Sequence, residues 1–204
     1  MRKAAPTQML CALAVLLTTV MLIGAGCVNE QCEGYKLLTV NKDIARFSLE
    51  YPCNWRRTRV ETYTDHDKTS LSLCITGPGI KIDGSRSPST LWGLDIIWIS
   101  EGSPNATTVL ENSLSIWAST SSSFQLLERS TVEIAGIQAE QAIFHNTIDA
   151  DRVLVKKPAT IICKQYFFEY DGLIWIIYSS SVLAIAEENE VLFNHIIQTF
   201  RILD

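Results

Sequence analysis

The chain has 204 residues, 47% of them hydrophobic and 19% charged, with a formal net charge of −5. That length and apolar content suit one folded domain and exclude a chain too polar to bury a core. The acidic balance, with no Lys or Arg run longer than Arg56-Arg57 or Lys156-Lys157, argues against nucleic acid or anionic lipid as the main partner.

In chain order, the first segment has the three parts of a secretory signal. Met1-Arg2-Lys3 is positive, Met9 to Ile23 is mostly apolar and uncharged, and Gly24-Ala25-Gly26-Cys27 sets small residues before a cysteine. This resembles the bacterial lipoprotein signal, whose cysteine thiol receives a diacylglyceryl group and whose leader is cut just before it. Gly24 stands where that signal usually has leucine, with Leu22-Ile23 just upstream. The alternatives are an ordinary cleaved signal and an uncleaved anchor; the anchor is opposed by an apolar stretch shorter than the ~20 residues that cross a bilayer. On the lipoprotein reading residues 1–26 are a signal peptide. Lipid on Cys27, with a palmitate-type acyl chain on its amine, then supplies enough apolar chains for stable anchoring outside the cytoplasm. The net charge from Cys27 onward is −7, because the leader takes away only Arg2 and Lys3 from the total of −5. Residues 27–41 read as a tether, polar from Asn29 to Gly34, although Leu37, Leu38 and Val40 can begin the fold.

From residue 42 to 204 the pattern is that of a single domain. Arg46 to Tyr51 alternates as a half-buried strand that Pro52 ends, and Thr69 to Thr76 alternates again with Leu71, Leu73 and Ile75 on one face. Gly77-Pro78-Gly79 stops that strand, Gly84 to Ser89 reads as a polar loop, and Leu91 to Ser100 is a third, apolar strand. Val109, Leu110, Leu114, Trp117 and Ala118 then recur at helical spacing, with Ser103 or Asn105 as the cap. Phe124–Ile134 and Ile137–Thr147 form a hairpin about Gly136, and Ala159–Tyr170 and Leu173–Ser179 another about Asp171-Gly172. A closing helix is predicted over Val182–Gln198, with Leu183, Ala186, Val191, Leu192, His195, Ile196 and Thr199 inward, before the extended tail Phe200–Leu203. Strands and two principal helices in this order predict an α+β fold, a mainly antiparallel sheet with the helices packed on it.

Six cysteines are present. With Cys11 in the leader and Cys27 lipidated, Cys32, Cys53, Cys74 and Cys163 remain, and they allow three pairings in an oxidising compartment. A Cys53–Cys74 bond across a hairpin is the preferred pairing, with buried free thiols as the alternative. No Cys-x-x-Cys or Cys/His cluster suggests zinc.

Phe47-Ser48-Leu49-Glu50-Tyr51-Pro52 with Trp55, the mid-chain helix followed by the Gly136 hairpin, and the closing helix into Thr199-Phe200-Arg201-Ile202 together resemble the PsbP-like family. That family is named for an extrinsic subunit of the oxygen-evolving photosystem and includes many bacterial lipoproteins. The resemblance covers Lys42 to Asp204. It implies an α/β/α sandwich and a binding or assembly module, usually without enzyme activity. It implies no photosynthetic role, and no metal or partner-binding residue carries over.

Candidate chemistry is sparse. Asp65-His66-Asp67 offers an imidazole between carboxylates, yet adjacent loop residues point apart. Asp149 and Asp151 lack the glycine and distal glutamate of a calcium loop. His145 and His195 fall in a strand and an amphipathic helix, where packing is the commoner role. No nucleophile elbow, His-Glu-x-x-His or phosphate loop occurs. The expectation is a membrane-tethered, non-catalytic module with no cofactor, no metal, no nucleic acid and a protein partner. The alternatives are a carrier whose apolar groove uses Trp117 or Trp175, or an exported hydrolase using His66 or His145.

Overall fold

Apolar residues at every second position can only be buried if a segment is extended, and this governs most of the chain. The computed structural model describes residues 33–65, 68–78, 80–82, 85–87, 90–98, 105–121, 123–148 and 159–203. Its elements in order are β1 (Tyr35–Asn41), β2 (Arg46–Pro52), β3 (Arg56–Asp65), β4 (Lys68–Thr76), β5 (Ile80–Ile82), β6 (Ser85–Ser87), β7 (Thr90–Trp98), α1 (Ala106–Thr120), β8 (Gln125–Ile134), β9 (Ile137–Ile148), β10 (Ala159–Tyr170), β11 (Leu173–Val182), α2 (Ala186–Thr199) and β12 (Arg201–Ile202). A single 3₁₀ turn, Leu183–Ile185, joins β11 to α2.

Seven strands form one antiparallel sheet in the order β3-β4-β7-β11-β10-β9-β8. A smaller sheet, β1-β2-β12, packs on one face of it together with α2. There Phe47, Leu49, Phe193, Ile196 and Phe200 meet Leu73, Leu94, Trp175 and Ile177. On the opposite face α1 lays Val109, Leu110 and Leu114 over Ala142, Phe144, Cys163 and Phe167. The α/β/α arrangement agrees with the expected α+β class. β5 and β6 pair only with each other, so Ser85–Ser87 is a short strand where a loop was expected.

Both long hairpins turn where the sequence places them. Ala135-Gly136 and Asp171-Gly172 have φ of 52° and 80°, and 51° and 68°. Two consecutive left-handed residues match the right-handed twist of the flanking strands. Asn105 caps α1, its Oδ1 accepting from the Thr108 N–H at 2.8 Å. Glu169 Oε1 also accepts from the Ala106 N–H at 2.7 Å, tying that helix end to β10.

Three expectations are corrected. The tether does not extend to residue 41: β1 starts at Tyr35 and buries Leu38 and Val40, a gain of about 1.5–3 kcal/mol each. The closing helix begins at Ala186, because β11 keeps its register through Val182. Its inner face is consequently Asn189, Phe193 and Ile196, and Val191 is 67% exposed. Asn189 is drawn inward by its Nδ2 donating to Ser181 Oγ at 2.8 Å.

The third correction is the Cys53–Cys74 pairing. Cys53 is disulfide-bonded, but Cys74 and Cys163 are buried thiols. Cys74 lies opposite Arg59 and Gly93 within the sheet, whereas Cys53 precedes Arg56, the first residue of β3, which pairs with Thr76. Cys53 lies before the paired register begins, and Cys74 keeps its thiol.

Phe200 links the two sheets. Its ring lies 5.8 Å from Phe47 and 6.0 Å from Trp175, and all three side chains are almost wholly buried. Phe200→Ala is expected to cost about 3–5 kcal/mol in urea unfolding, and Val191→Ala less than about 0.5 kcal/mol.

Candidate functional site

Three separated segments meet at one end of the molecule. The Ala135-Gly136 turn, Tyr170 at the end of β10, and the run from Ile197 through Ile202 enclose an open groove of about 530 Å³. Ile137, Ile197 and Ile202 give it an apolar floor, and Glu133, Gln198 and Arg201 supply polar walls. Arg201 Nη1 donates to the carbonyls of Gln198 and Phe200, both at 2.7 Å, so its cation lies across the C-terminal end of α2, where the helix dipole favours it. Tyr170 is 40% exposed, and its carbonyl accepts from Trp175 Nε1 at 3.4 Å. β12 is an outer strand of the small sheet, bonded to β2 on one side only. The groove thus combines an exposed aromatic ring, a guanidinium and a strand edge.

A second polar cluster lies on the α1 side of the sheet, beyond the helix's own contacts with β9 and β10. Tyr178 on β11, Gly93 on β7 and Cys74 on β4 stand in one cross-strand row, with Asp95 and Ser72 in the next. The Tyr178 ring covers Gly93 so closely that a Cβ there would sit 2.1 Å from its Cζ. Burial raises the Asp95 carboxyl from 3.8 to about 6, against a smaller opposing effect of its hydrogen bond with Ser72. Burial also pushes Tyr178 well above 10, reinforced by Asp95 and Cys74. Cys163, on β10, is pushed up to about 12 by burial alone. Near neutral pH the Tyr178 hydroxyl and the Cys163 thiol stay protonated and are poor nucleophiles, so neither is an activated group.

His195 is placed by three elements. Its Nε2 lies 2.9 Å from Glu50 Oε2, and its ring stacks on Tyr35 with centroids 3.6 Å apart. The Glu50 N–H donates to Thr199 Oγ1 at 3.1 Å. This is the packing role expected of His195, with an ion pair added when the ring is protonated. His145 is half-buried in β9. Asp65 ends β3, while His66, Asp67, Asp149, Asp151 and Cys27 lie outside the described residues. Among the described residues no three His, Cys, Asp or Glu side chains group to hold a metal.

The carrier reading is not supported at its named residues. Trp175 is 1% exposed and surrounded by Phe47, Phe168 and Phe200, and Trp117 rests on Phe144. Neither lines the groove. Sequence reasoning located both turns and the tail that build the groove, but Tyr170 and Arg201 carry no local signal of a shared site.

No family model and no curated protein matches the sequence. Solved structures do match. Cyanobacterial PsbP from Synechocystis sp. PCC 6803 aligns over 88% of this chain and 98% of its own, with a TM-score of 0.52 and 13% identity. The fold is PsbP-like. The Ran-binding protein Mog1p of Saccharomyces cerevisiae aligns over 84% of this chain and 96% of its own, with a TM-score of 0.50 and 8% identity. LpqN of Mycobacterium tuberculosis, involved in cell envelope biogenesis, aligns over 83% and 92%, with a TM-score of 0.48 and 14% identity. At these identities a PsbP-like likeness describes the fold and assigns no site residue.

The Asp95 shift has a testable sign. Its folded value of about 6 exceeds the 3.8 of an unperturbed carboxyl, so the folded state holds that proton more tightly. Stability is therefore lost as pH rises from about 4 to about 6, and the loss is complete above that range. Asp95→Asn is expected to leave stability nearly unchanged at pH 3.5 and to raise it by up to about 3 kcal/mol at pH 7.5, read from urea unfolding at both pH values.

Proposed function

We propose that this chain is an exported lipoprotein, held outside the cytoplasm by lipid on Cys27, whose PsbP-like domain is a non-catalytic module that binds a protein partner in the groove between the β8–β9 turn, Tyr170 and β12. The observation that carries this reading is the groove's composition. Tyr and Arg are the side chains that most often anchor protein interfaces, and both stand at its rim around an isoleucine floor. Its openness suits a side chain or two from an extended segment better than an enclosed small molecule. The free side of β12 offers main-chain groups for such a segment to run along. Mog1p, of similar fold, is a Ran-binding protein, which supports protein recognition as a use of this architecture.

The lipid anchor is supported by the leader ending in Gly24-Ala25-Gly26-Cys27. The net charge of −7 beyond the leader favours a neutral or basic partner over the anionic bilayer surface.

Cross-linking in intact membranes followed by purification in detergent tests both halves. The wild-type chain is expected to recover a defined partner, and the Tyr170→Ala/Arg201→Ala double variant to lose at least about tenfold of it, as for truncated interface anchors. Equal recovery by the double variant contradicts the groove. Cys27→Ser is expected to retain its leader and incorporate no labelled palmitate; unchanged processing and labelling contradict the anchor.

A further inference from the structure

We infer that the outer edge of β8 is a docking site for a protein partner that adds an extended, lysine- or arginine-rich segment to the seven-stranded sheet. β8 closes one side of that sheet and pairs with β9 alone. Its hairpin fixes which backbone groups are left over. Across a two-residue turn the flanking residues, here Ile134 and Ile137, exchange both hydrogen bonds, and the pattern alternates along the strand. Ile134, Val132 and Ser130 therefore turn their N–H and C=O groups toward β9, while Glu133, Thr131 and Arg129 turn theirs outward. Alternate residues thus present donors and acceptors at the spacing that a further strand requires.

Edges of this kind are usually covered or blunted. Among the described residues nothing pairs with this one. The bulge between Leu126 and Glu128 interrupts the strand only near its start, and Arg129 to Glu133 is regular. Leu126 and Leu127, 43% and 44% exposed beside that run, offer apolar cover to the end of an added segment.

Charge selects the occupant. From Asn105 to Ile148, the α1–β8–β9 unit around the edge, Glu111, Glu128, Glu133 and Glu140 stand against Arg129 alone, and there is no lysine. Arg129 is already held within the chain, by Glu111 and by Glu140 at 3.2 Å. Glu128 accepts from Ser130 Oγ at 2.9 Å, and the exposed Glu133 enters no ion pair among the described residues. This excess of carboxylates repels a second acidic edge. It attracts ammonium or guanidinium groups at alternate positions of an incoming strand, where directly opposed Cβ atoms lie about 5 Å apart. The outward backbone row is present whatever occupies the groove beside β12.

The test uses the full chain in detergent with two end-blocked decapeptides, one alternating Thr-Lys and one alternating Thr-Glu, and amide hydrogen exchange resolved to single residues. The Thr-Lys peptide at millimolar concentration is expected to slow exchange at Arg129, Thr131 and Glu133 by at least about tenfold, an effect that fades at high salt. The Thr-Glu peptide should leave exchange unchanged. Thr131→Pro removes an outward N–H and no bond to β9, so the urea midpoint should hold while the protection is lost. Glu128→Lys/Glu133→Lys should lose it with the backbone row intact. Equal protection by both peptides, none by either, or protection confined to other strands overturns the inference. Concentration-dependent self-association that protects the same amides gives the edge to a second copy and overturns it as well. Tyr170→Ala/Arg201→Ala is expected to leave the protection in place, so failure of the groove and failure of the edge are read separately.

Discussion

Trp175 occupies the place where two sheets would otherwise part. Its ring stacks on Phe168 within the seven-stranded sheet and takes the edges of Phe47 and Phe200 from the smaller one. Aromatic pairs in these offset and edge-on geometries add about 0.5–1.5 kcal/mol each beyond the area they bury. The consequence reaches the surface. Phe200 immediately precedes β12, so burying its ring holds Arg201 and Ile202 beside the β8–β9 turn and Tyr170. Without that burial a two-residue strand has little to keep it in place. The groove is thus a product of the core.

The two faces of the large sheet are made differently. The α2 side is sealed by aromatic and branched residues. The α1 side is apolar under the helix and becomes polar toward β7 and β4, where Ser72, Cys74 and Asp95 stand. A carboxyl held near 6 there reduces stability at neutral pH, which a chain selected for stability alone would have replaced by an amide. Gly93 is fixed by a different constraint, the Tyr178 ring above it.

Much of the architecture was legible because it is local. Alternation named β2 and β4, an apolar run named β7, and Gly136 and Asp171-Gly172 named the two hairpins at the correct residues. The phase of α2 was missed by three to four residues because Val182 to Ile185 is apolar whether extended or helical, and periodicity alone does not say which element owns it. Burial of Asn189 in place of Val191 follows from its bond to Ser181, a tertiary partner without a sequence pattern. β1 was read as tether because its exposed positions, Tyr35, Lys36, Leu37 and Thr39, mask the alternate burial of Leu38 and Val40. The cysteine pairing failed for the same reason as the groove went unseen, since both depend on register between distant segments.

Amide hydrogen exchange in the native state measures directly whether the small sheet and the large one share a single core. The aromatic junction requires the Phe47 and Leu49 amides of β2 to open with the same free energy and denaturant dependence as those of Trp175 and Ile177 in β11. Exchange of the β2 amides through a separate opening, about 2 kcal/mol or more easier than that of β11, would show that the small sheet folds on its own and that the junction does not hold the groove in place.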